Sequence, residues 1–257
     1  MRPIIKFPDK ISHKKQLDFF NYLNLLNYFK KNDKKIIAPE LNDLYRLYQF
    51  IILNKRTTVL EFGSGWSSLI IALALKKNRE EFSNKVKNLR RGNLFELHIL
   101  ENQKKYLNIT KKRNKKILGQ SKFVKYFYSK CEMTKYGDKC FATQYIKLPI
   151  VNPDFIYLDG PDQFKIHGSI NNFSTRHVDL MPMSCDILKF EHFLLPGTII
   201  LIDGRTANAR FLKVNFQRNW LYFYDKNNDQ NVFYLNEKPL GKPSESLLNF
   251  YKKDSSA

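Results

Sequence analysis

The sequence predicts an α/β fold built on a doubly wound, mostly parallel sheet, and three observations predict it. Short runs rich in β-branched and aromatic residues alternate with longer helix-patterned segments from Thr57 to Asp203. Four of those runs end on a carboxylate or beside one: Glu61, Glu101, Asp159 and Asp203. The first run also passes through Gly63-Ser64-Gly65 straight into a helix-patterned stretch, which reads as a strand, a tight turn and a helix N-terminus.

In chain order, residues 14–54 read as helical. Leu17, Phe20, Leu23, Leu26 and Phe29 recur every three residues, and so do Leu41, Leu44 and Leu47. Pro39 separates the two segments, with Ser12 and Asn42 as candidate N-caps. Thr57 to Phe62 reads as the first strand and Trp66 to Lys77 as a helix. A second strand (Glu96 to Glu101) and helix (Asn102 to Lys116) follow. Phe123 to Ser129 supplies a third strand, Phe155 to Asp159 a fourth and Thr198 to Asp203 a fifth, entered through Pro196-Gly197. Met183 to Leu194 reads as the helix before that last strand. Trp220 to Tyr224 and Val232 to Leu235 flank a polar turn, a hairpin signal at one edge of the sheet. Gly241 to Ala257 reads as a largely polar tail. The expected organisation is an N-terminal helical cap (1–54), a sheet domain (55–240) and the tail (241–257).

Composition narrows the classes. Of 257 residues, 43% are hydrophobic, enough for a sizeable core and too many for a disordered chain. No apolar run approaches the roughly 20 residues that cross a bilayer, and Met1 to Phe7 lacks the long apolar stretch of a secretory signal. Cys131, Cys140 and Cys185 are sparse and badly spaced for zinc, which points to reduced thiols in a cytoplasmic protein. The formal charge of +20 admits nucleic acid as a partner. An abundance of Lys with Asn, Ile, Phe and Tyr explains the same charge as compositional bias, and the run Lys111 to Lys116 reads as a solvated helix face.

The glycine turn has neither the Lys of a phosphate-cradling loop nor the third glycine of the dinucleotide pattern. In such sheets ligands sit beyond the carboxyl ends of the strands. A carboxylate closing the second strand suits a ribose diol, because it accepts from two hydroxyls at once. Glu101 takes that place.

Val59-Leu60-Glu61-Phe62-Gly63-Ser64-Gly65-Trp66-Ser67-Ser68 resembles motif I of the class I S-adenosylmethionine-dependent methyltransferases. Ile99-Leu100-Glu101 is similar to the ribose-binding strand end of that family. Asp154 to Pro161 looks like its fourth-strand motif in the Asp-Gly-Pro variant, and Leu194 to Asp203 like its fifth-strand segment. The resemblance spans about Val59 to Leu235 and is nearest to the O-methyltransferase-like branches. It implies a Rossmann-like sheet of about seven strands with an antiparallel C-terminal edge hairpin, and S-adenosylmethionine as cofactor. Two departures stand out. Ser67 replaces the usual third glycine, and Glu61 and Glu101 lie about twice the usual 20 residues apart.

Carried onto this chain, the cofactor residues are Glu61, Gly63, Ser64, Gly65, Trp66, Ser67, Ser68, Glu101, Asn102 and Asp159. Trp66 either floors the methionine end or shields the helix start. Cys131 and Glu132 follow the third strand, where the family contacts adenine. Asp159, His167 and Asp203 are the catalytic candidates, with His177 behind His167; a histidine suits a general base because its ordinary pKa lies near 6.5. A magnesium site on Asp159 and Asp203 is disfavoured because Gly204 stands where the metal-dependent branch has Asn. Arg205 either pairs with an anionic substrate group or bridges to a rim Asp. The expected activity is methyl transfer to an oxygen or nitrogen of a small molecule or glycan precursor. The alternatives are an RNA methyltransferase and a non-catalytic nucleotide-binding protein on the same fold. The segment Asp159-Gly160-Pro161-Asp162 argues against the common adenine-N6 enzymes, which carry Asn-Pro-Pro-Tyr there.

Overall fold

The computed structural model of the chain describes residues 3–30, 38–138 and 140–252. Three helices come first: α1 (His13–Tyr22), α2 (Leu26–Lys30) and α3 (Leu41–Leu53). Ser12 caps α1, its Oγ accepting from the Lys15 amide at 3.4 Å. Asn42 does not cap α3; the cap position is Glu40. Tertiary partners claim Asn42 instead: its Oδ1 accepts from Gln16 and its Nδ2 donates to Asn228.

The alternating part follows as β1 (Thr58–Phe62), α4 (Trp66–Phe82), β2 (Glu96–Glu101), α5 (Lys104–Leu118) and β3 (Val124–Tyr128). Next come β4 (Cys131–Tyr136), β5 (Cys140–Tyr145), β6 (Phe155–Leu158), β7 (Ile166–His167) and α6 (Asp186–Phe190). The chain continues through β8 (Ile199–Asp203), α7 (Thr206–Asn215), β9 (Trp220–Asp225), β10 (Gln230–Leu235) and α8 (Lys242–Lys252). The main sheet has seven strands in the order β3-β2-β1-β6-β8-β10-β9. It is parallel from β3 to β8; β10 runs antiparallel to both neighbours, and β9 takes the edge. Strands build outward from β1 to β3, then the chain returns to place β6 on the other side of β1. The order therefore reverses between β1 and β6, where such sheets open a ligand crevice.

Alternation divides the core into two layers. Leu60, Phe62, Ile156, Leu158, Ile200 and Ile202 face one side, against residues of α6, α7 and the smaller sheet. Val59, Phe155, Tyr157, Ile199 and Leu201 face the other, against α3 and α4. Both faces of β1 and β6 are covered, which is why these strands read as near-continuous apolar runs.

Several elements depart from the sequence expectation. β4, β5 and β7 form a second, three-stranded sheet in the order β5-β4-β7, which the short mixed runs Cys131–Tyr136 and Cys140–Tyr145 did not announce. The helix expected from Met183 to Leu194 shortens to α6 and a 3-10 turn over Glu191–Phe193. α7 has no counterpart in the sequence expectation. The segment read as a polar tail contains α8, whose Leu247, Leu248, Phe250 and Tyr251 are buried in a cluster with Phe82, Val86 and Phe95. Residues 253–257 lie outside the described residues. The Tyr251 hydroxyl donates at 2.8 Å to Asp154, which also accepts from the Thr57 and Thr58 amides and the Thr57 hydroxyl. Asp154 thereby ties β1, β6 and α8 together at the amino ends of the strands.

Candidate functional site

The site lies at the opposite, carboxyl ends. Gly63 leaves β1 with φ +103°, a conformation that L side chains rarely adopt. Its backbone packs against the loop after β6: a Cβ on Gly160 would sit 2.8 Å from the Gly63 nitrogen and 2.9 Å from its Cα. The two strand-end loops touch backbone to backbone, and only glycine fits at Gly160. Gly65 differs from expectation. It is extended (φ −174°), and a Cβ there would meet nothing nearer than 3.6 Å, so the turn rests on one glycine.

Glu61 is fully buried at the end of β1. Its Oε1 accepts from the Ser67 hydroxyl and its Oε2 from the Ser68 hydroxyl, both at 2.6 Å. The Ser68 Oγ in turn accepts from the Gly65 amide at 3.2 Å. Burial pushes the Glu61 carboxyl up to about 8, against the lowering by the two hydroxyls. Glu61, Ser67 and Ser68 thus lock the turn to the start of α4. Ser67 stands where the family pattern has glycine, and its hydroxyl gives the reason: it closes this lock.

Trp66 is buried at the first position of α4. Its ring meets Phe29 edge-on at 4.8 Å, and the Arg113 guanidinium lies 3.8 Å from the ring centre. These contacts bury the ring against α2 and α5 at the start of α4.

At the end of β2, Glu101 is 5% exposed. The Ser64 hydroxyl donates to its Oε2 at 2.7 Å and the Gln103 amide to its Oε1 at 2.8 Å. Burial raises its pKa against these donors. The Asn102 amide also acts on it; a carboxylate offers about four acceptor directions, so capacity remains for a further hydroxyl donor. Asn102, also buried, donates to the Lys165 carbonyl at 3.5 Å. Gln103 reaches across to Asp162 at 2.9 Å, joining the loops after β2 and β6. Spacing alone gave no sign of that link.

Asp159 and Asp203 close the adjacent strands β6 and β8, one step past the pair Leu158 and Ile202. The Asp159 side chain is 54% exposed at the rim. Arg205 donates to the Asp159 carbonyl at 2.8 Å and the Pro161 carbonyl at 3.1 Å, with its Nε 3.5 Å from Oδ1. The guanidinium is committed to this loop. Asp203 accepts from the Tyr157 hydroxyl at 2.9 Å, and burial with the nearby Asp159 charge lifts it to about 6. Asp43 of α3 rises to about 7 through burial and the charges of Asp203 and Glu40. The amino end of α3 therefore stands over the end of β8. His167 belongs elsewhere: it is exposed on β7 and pairs in register with Glu132 of β4. His177 is exposed in the loop beyond it. Cys131 is wholly buried, and burial pushes its thiol up; Glu132 accepts from Gln144.

One residue at the site carried no sequence signal. Tyr145 ends β5, packs against Phe62 at 5.7 Å and is 4% exposed, with a buried hydroxyl that has no partner among the described residues. Phe62 is the last residue of β1, so Tyr145 lies beside the strand end that leads into the glycine turn, and burial raises its pKa well above the ordinary value. Among the described residues no group of three or more His, Cys, Asp or Glu is arranged to hold a metal ion, and no helix is long and apolar enough to cross a membrane.

No protein-family model matches the chain, and no curated protein sequence matches it. Solved structures do. A Podospora anserina methyltransferase, PaMTH1, bound to S-adenosylhomocysteine (SAH) is 13% identical; the match covers 91% of this chain and 100% of that one at a TM-score of 0.48. An O-methyltransferase from Bacillus cereus in complex with SAH is 13% identical over 90% and 92% of the two chains, with a TM-score of 0.42. The O-methyltransferase TomG of Streptomyces achromogenes, in complex with S-adenosylmethionine, is 12% identical over 90% and 92%, with a TM-score of 0.43. Likenesses of this degree carry no functional argument; the strand order and the residues at the strand ends must carry it.

Proposed function

We propose that the chain is an S-adenosylmethionine-dependent methyltransferase acting on an oxygen or nitrogen of a small molecule or glycan precursor. The observation that carries this reading is the pairing of Ser64 with Glu101 at 2.7 Å beside the reversal point of the sheet. That pairing puts a diol acceptor next to a glycine turn and the start of a 17-residue helix. The residues fit the cofactor. The Gly63–Gly160 contact keeps the crevice floor free of side chains. Glu101 retains acceptor capacity for the ribose, and Ser64, Gly65 and Asn102 border it.

When bound, the cofactor supplies a sulfonium methyl for in-line displacement. The chain's own part is to orient the acceptor, exclude water and take a proton. Glu61, Ser67 and Ser68 hold the turn in shape. Asp159 and Asp203 flank the acceptor side, and Asp203, with its pKa near 6, is suited to receive a proton around neutral pH. His167, exposed on the smaller sheet, ranks behind both. Residues 1–54 act as a cap over the acceptor side, supported by Glu40 and Asp43 standing near Asp203.

An RNA acceptor has one observation behind it. No Asp or Glu occurs from Asn102 to Cys131, while α5 and the residues around β3 are rich in lysine. That basic surface lies at the β3 edge, and β2 and β1 separate it from Asp159 and Asp203 on β6 and β8. A small acceptor fits this arrangement better.

The test is calorimetric titration with S-adenosylmethionine and SAH, on wild type and on Glu101→Ala. Micromolar affinity that falls at least about tenfold in the variant supports the reading. Absence of binding to the folded wild type refutes it. Methyl transfer to RNA but to no small acceptor would replace the acceptor class.

A further inference from the structure

A second pocket opens at the other end of the sheet. It is a cavity of about 330 Å³ between the segment before β2, the segment before β6 and the start of α8. The five residues of β1 separate it from the glycine turn by about 17 Å. Arg90, Arg91, Asn152 and Ser244 line it, with Leu195 and Leu247 giving it an apolar wall.

Three buried polar atoms on these lining residues have no hydrogen-bond partner among the described residues: Arg91 Nε, Asn152 Oδ1 and Ser244 Oγ. Each such atom costs roughly 1–3 kcal/mol when it stays unpaired. Ser244 is 3% exposed. Arg91 is held in place, its Nη2 donating to the Asn152 carbonyl at 2.7 Å. Asn152 is held too, its Nδ2 donating to the Phe193 carbonyl at 2.7 Å. Both side chains are thus anchored on backbone carbonyls. Ser244 lies in the first turn of the 11-residue α8, where backbone amides lack intrahelical acceptors and the helix dipole favours negative charge.

We propose that this cavity binds a small hydroxylated anion, a polyol or sugar carrying a phosphate or carboxylate. The donors Arg91 Nε and the Lys242 and Ser244 amides call for anionic oxygens, and the exposed Arg90 adds positive charge at the rim. Asn152 Oδ1 is an acceptor and calls for a donor, which a bare anion lacks and a hydroxyl supplies. Leu195 and Leu247 suit the C–H face of such a molecule. Ser244 Oγ serves either group. The site is independent of the proposed cofactor crevice, so its test stands or falls separately.

The experiment is amide NMR titration of the full chain with glycerol 3-phosphate, glycerate, inorganic phosphate, glycerol and sodium chloride at matched ionic strength. The expected result is saturable shifts at the amides of Gly92, Asn93, Lys242 and Ser244 with glycerol 3-phosphate or glycerate, at a Kd near or below about 1 mM. Whichever of the two binds more tightly identifies the head group. Binding should weaken about tenfold in Arg91→Gln and in Ser244→Ala. Should Arg91→Gln fail to fold, Arg90→Gln serves in its place, since Arg90 is exposed. Shifts equal to those from chloride, shifts elsewhere on the protein, or binding unaffected by the variants would overturn the proposal. Equal affinity for inorganic phosphate would overturn the hydroxyl requirement and with it the ligand class.

Discussion

Replacing Glu61 with Gln changes the stability of this protein in a way that depends on pH. In the native chain the Glu61 carboxyl is fully buried and raised from 4.5 to about 8, chiefly by desolvation. In the unfolded chain it ionises near 4.5. Between those values the folded state holds a proton that the unfolded state has released. Stability therefore falls as pH rises from 4.5 to 8, then levels off. Every tenfold difference in proton affinity between the two states is worth about 1.4 kcal/mol. Raising the carboxyl from 4.5 to about 8 therefore gives about 3–5 kcal/mol of pH-dependent destabilisation. Gln does not ionise. Its Oε1 accepts one serine hydroxyl, and its Nε2 donates to the other serine Oγ, replacing both bonds made by Glu61. Relative to wild type, Glu61→Gln should gain stability steadily from about pH 5 to about pH 8.5, by about 3–5 kcal/mol in total. Urea melts of both proteins across that range measure it, and comparing the two cancels groups common to both. Parallel stability curves, differing by less than about 1 kcal/mol over the range, would refute the argument that this carboxyl is held neutral.

Three further outcomes are expected. Gly160→Ala should cost about 1–3 kcal/mol by overpacking and abolish SAH binding, because the Cβ meets the Gly63 backbone and not a movable side chain; native affinity in calorimetry would contradict the backbone contact. Asp154→Asn should lower the urea-derived stability by about 2–4 kcal/mol while leaving SAH affinity unchanged, since Asp154 ties the strands at the end remote from the crevice. Arg205→Gln should raise exchange at the amides of Asp159, Gly160 and Asp162 and leave exchange in β8 unaltered, because the guanidinium holds the carbonyls of Asp159 and Pro161; unchanged exchange there would show that the loop holds itself.

β1, β2, β6 and β8 were legible because each is almost wholly buried and ends at or beside a carboxylate; β3, at the edge, was legible from its aromatic and β-branched residues alone. Glu96–Glu101 appears in the structure with the bounds its pattern gave. The smaller sheet was not legible. Its strands are only partly buried, on runs six residues long or shorter interrupted by Glu, Thr, Lys and Gln. α8 was overlooked for a different reason. Leu247, Leu248, Phe250 and Tyr251 do carry a helical stripe, but the lysines and serines around them dominate the composition. At the site, Glu101 was found from strand-end chemistry. Tyr145 and the Gln103–Asp162 link were not, because they depend on segments about 40 to 60 residues apart meeting in space.

By itself the sequence determined the alternation of strands and helices, the glycine turn and the four carboxylates at strand ends, because periodicity and turn chemistry act over a few residues. Only the tertiary structure decided what those groups do. It turned Glu61 inward onto Ser67 and Ser68, spent Arg205 on its neighbour's backbone, and left Glu101 with acceptors to spare. It also set β10 between β8 and β9. The physical reason is common to all of these. Burial and hydrogen-bond partnership are properties of surroundings, which at this site combine near neighbours in the chain, as for Glu61, with loops far apart in it, as for Arg205 and Glu101.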